Sequence, residues 1–233
     1  MECPKCSASR AATDLECPRC GVIFAKLAQR AETAPIPSSL PIQPPTDPQP
    51  LPARAPVSRP VLLGRAALLV GLVIGTWQFA AAPMGVAVAD SFLHLPNLIF
   101  HEAGHVILGL FGRFVGVLGG SLFQVALPLA LAGVFLKQGD RFAAAVCTWW
   151  GGQNLLDVAP YIADARTLQL VLLGGKSGAE VEGHDWEYLL TQMNWLHLDR
   201  TLGLAAHRIG LAIMIASLVW GGLSVGRARV SDE

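Results

Sequence analysis

The chain has 233 residues, of which 52% are hydrophobic and only 15% charged, with a mean hydropathy of +0.46. An ordinary soluble domain carries about a quarter charged residues, so the composition points away from a simple cytosolic fold. The 17 basic and 17 acidic residues cancel, which leaves no net field for attracting nucleic acid, and none is expected as a partner.

The charges are unevenly spread: 12 of them fall in residues 1–59. The chain therefore reads as two physical objects. The first begins with Cys3-Pro-Lys-Cys6 and Cys17-Pro-Arg-Cys20-Gly21. Two cysteines two residues apart can bend round one ion, and two such pairs supply the four-thiolate shell that Zn²⁺ prefers. Pro4 and Pro18 stiffen the turns, and Gly21 permits the tight geometry after a knuckle. No signal peptide precedes Cys3, so reduced metal ligands are expected rather than disulfides. The segment resembles short zinc ribbons over about residues 1–27. Four thiolates close the coordination sphere, so this zinc is expected to be structural and to supply most of the folding free energy of a 1–30 module. Val22, Ile23, Phe24 and Leu27 offer a small apolar surface, used for packing or for docking a cytoplasmic protein partner.

Residues 31–60 read as a flexible linker, with ten of the sixteen prolines between positions 35 and 60. Such a stretch favours extended polyproline conformations, at roughly 3 Å per residue.

From residue 61 to 226 the chain reads as an all-α membrane bundle, followed by a short 227–233 tail. A helix across the hydrocarbon layer takes about 20 apolar residues. Five segments are expected: 61–82, 92–112, 114–136, 141–163 and 209–226, with Pro96 as the first helical residue of the second. The Gly-Gly pairs at 119–120 and 151–152 would break a helix or permit close packing. Arg54, Arg59 and Arg65 crowd the start of the first segment, which places the amino terminus in the cytoplasm by the positive-inside tendency.

The second segment carries the chemistry, in Phe100-His101-Glu102-Ala103-Gly104-His105. Positions four apart share a helical face, so His101 and His105 can grip one Zn²⁺. Glu102 lies beside them, where its carboxylate can take a proton from a metal-bound water. Each ionisable group costs about 2.5–3.5 kcal/mol at the bilayer centre on insertion scales, so three in five residues are not filler. A haem between facing histidines would leave Glu102 without a role.

A catalytic zinc normally takes a third protein ligand and keeps one open position. The polar segment around Gln153, Asn154, Asp157, Tyr161 and Asp164 supplies candidates. Asp157 is the first choice, because a buried Asp needs a partner, and Asp164 and His184 follow. Asp164 alternatively pairs with Arg166, and Asp185 is read as a helix cap. Gln153, Asn154 and Tyr161 are expected to line a polar cleft, and the 174–187 loop to fold back over it. His94, His197 and His207 are assigned interfacial or packing roles.

The His-Glu-x-x-His pattern resembles that of the site-2 protease family of intramembrane zinc metalloproteases, with Asn154 and Pro160 similar to part of that family's second motif. That motif ends in Asp-Gly, whose Asp is the third ligand; here Asp157 comes early and Asp164 is followed by Ala165. The resemblance covers about residues 92–165. It implies hydrolysis of peptide bonds within or beside the membrane, with a membrane protein or peptide as substrate. A second membrane protease family takes Glu as third ligand, a part open to Glu180 or Glu182. The alternative class is a non-enzymatic membrane scaffold, with a structural metal in its bundle and the ribbon as an interaction module.

Overall fold

The computed structural model describes residues 1–9, 11–25 and 57–228. Leu27, Arg54, nearly all of the proline-rich stretch and the tail beyond residue 228 lie outside the described residues. The chain divides into two compact units, Met1–Pro52 and Ala53–Glu233.

In the first unit the two Cys-Pro-x-Cys turns repeat one backbone design. Cys3 N donates to Ala8 O and Cys17 N to Val22 O, while isolated bridges pair Glu2 with Ser9 and Glu16 with Ile23. Each turn closes through a left-handed residue, Ser7 at φ 56° and Gly21 at φ 65°. Glycine adopts this conformation without strain, so Gly21 does the work anticipated for it, and Ser7 tolerates the same geometry at some cost.

The second unit is helical. Its elements are α1 (Arg59–Ala81), the short α2 (Val86–Ala89), α3 (His94–Leu108), a 3₁₀ turn (Gly109–Phe111), α4 (Arg113–Lys137), α5 (Arg141–Ala163), α6 (Asp185–Gln192), a 3₁₀ turn (Leu196–Leu198) and α7 (Asp199–Gly226). Among the described residues, three stretches are long and apolar enough to cross a membrane: α1, α4, and α7 with the turn before it. The expected five spans are thus corrected to three. With its 15 residues, α3 rises about 22 Å, short of a hydrocarbon layer of about 30 Å. Although α5 is long enough, it spends its length on polar and small residues enclosed by protein, among them Gln153, Asn154, Gly151 and Gly152. It is the central helix. Helix α3 also begins two residues earlier than Pro96 suggested, with the proline in the first turn, where a missing N–H costs nothing.

Small residues bring the helices together. A Cβ on Gly104 would stand 2.2 Å from Gly119 O, so α3 and α4 meet backbone to backbone, and one on Gly116 would stand 2.8 Å from Gly109 Cα in the turn that joins them. In the same way Gly152 and Gly210 face each other between α5 and α7. Lipid gives helices no hydrophobic reason to associate, so close packing of this kind must hold them. The Gly-Gly pairs therefore serve packing, and neither breaks its helix. Around this frame Phe79, Val88, Trp149, Leu156 and Met214 form an apolar core. The Trp149 indole donates to Thr76 Oγ1 at 2.8 Å, and Arg65 reaches Asp140, the N-cap of α5, at 3.1 Å. Both contacts tie α1 to α5. Outward-facing Leu63, Trp77, Phe92, Ile99, Val106 and Leu110 leave apolar surface exposed, as suits a lipid-facing wall.

Candidate metal centre

The four ribbon cysteines are free thiols whose sulfurs all lie within 4.8 Å of one another. Cys3 Sγ and Cys20 Sγ are 3.8 Å apart, and Cys6 Sγ and Cys17 Sγ 3.7 Å. Sulfurs 2.3 Å from a tetrahedral zinc are separated by about 3.8 Å, so the cluster has the dimensions of that shell. Backbone hydrogen bonding at Cys20 pulls the Cys17 thiol down to about 6, whereas burial and the neighbouring thiols push Cys20 up to about 12 despite an opposing backbone hydrogen bond at Val22.

In the helical unit, His101 and His105 do share a face of α3, with ring centroids 4.8 Å apart. The third group is Asp185, at the first turn of α6. Its Oδ2 lies 3.0 Å from His101 Nε2 and 3.2 Å from His105 Nε2, and the three ligand atoms form a compact group. Donors about 2.0–2.1 Å from a tetrahedral ion stand about 3.3 Å from one another, close to what is found. The far nitrogens are committed elsewhere. His105 Nδ1 is 2.9 Å from the Gly116 carbonyl oxygen and His101 Nδ1 2.9 Å from Gln124 Oε1. Both oxygens can only accept, so both Nδ1 atoms carry protons. In neutral imidazoles the two Nε2 lone pairs then face a carboxylate oxygen. A proton on one imidazole would satisfy the contact, and with both Nε2 atoms unprotonated the three ligand atoms could hold a metal cation between them.

Gly120 of α4 forms the back wall. A Cβ there would stand 2.6 Å from His101 Nε2, His105 Nε2 and His105 Cε1. The centre opens into a cavity of about 920 Å³ lined by Glu102, His94, Asp157, Tyr161 and Glu182, and by residues 170–174 and 181–183. The loop therefore folds over the site as anticipated. It is held there by Asp164, which accepts from Thr167 Oγ1, Gln169 N and Leu170 N. Helix α6 is pinned by Trp186 Nε1 on Ser121 Oγ at 3.1 Å and by Tyr161, whose hydroxyl accepts from Asp185 N at 2.9 Å.

Several ligand expectations are corrected. Asp157 does not join the histidines: its Oδ1 meets His94 Nδ1 at 2.7 Å, and its Oδ2 accepts from Asn97 and Gln124. Its burial is satisfied by amides and an imidazole, which removes the need for a metal. Asp164 organises the loop and does not pair with Arg166, which instead reaches buried Asp199 at 2.6 Å. His184 is the N-cap of α6, accepting from Glu187 N, with its other nitrogen 3.6 Å from Asp164. Asp185 therefore stands with the two imidazoles and His184 caps the helix, the reverse of the expected placement. Gln153 and Asn154 are wholly buried and do not line the cleft, which Tyr161 does. Glu180 is bound to Ser177 N and Oγ, which hold its carboxyl below the usual range. His94 faces the same cavity instead of a lipid interface.

The sequence reading missed Asp185, Gln124 and Gly120. A signal existed for one of them: Gln124 and Ser121 are the only polar side chains in the uncharged run 114–136. The chain matches no family model, no curated protein and no solved structure.

Proposed function

We propose that this chain is a membrane-embedded zinc metallopeptidase that hydrolyses peptide bonds of membrane proteins or peptides in or near the bilayer. The observation that carries the reading is the convergence of His101 Nε2, His105 Nε2 and Asp185 Oδ2 beside Glu102 at the end of a large cavity. Two imidazoles and one carboxylate with a fourth side left open are the donor set of a catalytic zinc, whereas the ribbon's four thiolates are that of a structural one. When bound, the metal would supply Lewis-acid polarisation of a carbonyl and a more acidic water.

The protein groups do the rest. Glu102 is exposed to the cavity, and no hydrogen bond or ion pair among the described residues engages it. Its carboxylate is free to take a proton and return it to the leaving amine. His101 and His105 are oriented through their Nδ1 protons, and Asp185 through its own backbone N–H on Tyr161. Residues 170–174 and 181–183 limit access of bulk water from one side. A substrate helix must unwind locally to enter, since its backbone is fully hydrogen-bonded in lipid. In this reading the amino terminus is cytoplasmic, and the ribbon is offered there to a protein partner.

The test is Glu102→Gln in the detergent-purified full chain, presented with a membrane-anchored reporter peptide. Zinc content should be unchanged and cleavage lost. Undiminished cleavage by this variant removes Glu102 from the chemistry, and a wild-type chain that holds both zinc ions yet cleaves nothing favours the scaffold alternative.

A further inference from the structure

The buried polar side chains behind the centre form a continuous chain of obligations. Trp150 Nε1–H can only donate, and it donates to Asn97 Oδ1 at 2.9 Å. That fixes the Asn97 amide, whose nitrogen then faces Gln153 Oε1 at 2.8 Å and Asp157 Oδ2 at 2.9 Å. Asp157, nearly enclosed, is an acceptor when ionised, so the Gln124 group 3.1 Å from its Oδ2 must be the amide nitrogen. Gln124 Oε1 is thereby turned toward His101 Nδ1, 2.9 Å away. The direction of every bond in this series follows from donor and acceptor capacity.

We propose that Asp157 is a positioning residue of the metal centre: acting through Gln124, it locks His101 as the Nδ1–H tautomer and keeps the Nε2 lone pair aimed at the metal. The inference rests on the proposed metal site but concerns the affinity of that site rather than turnover. An unconstrained Gln124 could present either end of its amide. With its nitrogen toward His101, Nδ1 becomes the acceptor, Nε2 carries the proton, and the ligand is lost. A carboxylate at position 157 forbids that flip, because it offers an amide oxygen nothing to bond. Position 157 thus governs the metal across two hydrogen bonds, and outer-shell partners of this kind are worth about 10–100-fold in metal affinity.

Asp157→Leu keeps much of the side-chain volume while removing the acceptor that holds the Gln124 amide nitrogen. In the full chain in detergent, with zinc affinity measured by chelator competition, it should weaken the histidine site about 10–100-fold and leave the cysteine site unchanged. A role in packing alone would lower the unfolding temperature without changing zinc affinity at this site. If Asp157→Leu fails to fold, Gln124→Met, which removes the acceptor at similar length, should show the same loss. Unchanged affinity in Asp157→Leu or Gln124→Met overturns the inference and leaves the metal centre standing. A wild-type chain that binds only the ribbon zinc overturns both.

Discussion

Gly120→Ala is the smallest change that should empty the histidine centre. The added Cβ would lie 2.6 Å from both Nε2 atoms and from His105 Cε1, about 0.8 Å inside ordinary contact at three points. The imidazoles cannot simply turn away, because each is held at Nδ1, by Gln124 and by the Gly116 carbonyl. Nor can α4 withdraw freely, because Gly119 next door is in backbone contact with Gly104. Overpacking of this kind costs about 1–3 kcal/mol where the core must yield. More tellingly, it places a methyl group where the ligand lone pairs converge. Displacing two ligands should exceed the loss from an outer-shell change, so zinc affinity at this site should fall by more than about 100-fold. Gly133→Ala is the control: it lies on the same helix, its Cβ meets nothing within 4 Å, and it should be neutral. The assay is zinc per chain after dialysis against a weak chelator, with thermal unfolding recorded alongside. Gly120→Ala that keeps two zinc ions at wild-type affinity would refute the geometry argued for the centre.

Two further outcomes follow from the same structure. Asp185→Asn should lose the histidine-site zinc while Asp164→Asn keeps it, because only Asp185 reaches the imidazoles; equal retention in both variants, read by metal analysis, would contradict the ligand assignment. Glu180 has a depressed carboxyl through Ser177 N–H and Oγ–H, so its contribution to the loop is present above its unfolded pKa and is lost as pH falls through the lower folded one. The Ser177 amide resonance should therefore titrate below the ordinary glutamate midpoint, and a midpoint at or above it would be inconsistent with the contact.

Much of the framework was legible from hydropathy. The uncharged run between Arg113 and Lys137 placed α4 to within one residue, and apolar segments interrupted by Arg65 or by Asp157 placed α1 and α5 to within two. The number of crossings was less legible. The polar and small residues of α5, with Gln153 and Asn154 buried in protein, make it too polar on average for a crossing helix, a distinction that an apolar run with a few polar residues does not make plain. The two histidines and the four cysteines came from spacing alone, since helical period and knuckle geometry are local. Asp185 was not legible. It lies 84 positions from His101 and reaches it only because the loop after α5 folds back. Beginning an amphipathic helix, it carried the mark of a cap, a duty that the neighbouring His184 performs. Asp157 misled for a related reason: its burial demanded partners, and sequence could not say that Asn97, Gln124 and His94 would be those partners.

The claim on which the rest depends is that His101, His105 and Asp185 together bind a zinc ion independently of the cysteines. X-ray absorption at the zinc edge, on the full chain with Cys3, Cys6, Cys17 and Cys20 all changed to Ser, reads that shell directly. The account predicts one retained zinc with nitrogen and oxygen neighbours at about 2.0–2.2 Å and no sulfur shell at about 2.3 Å. A chain that retains no zinc once the four sulfurs are gone would contradict it.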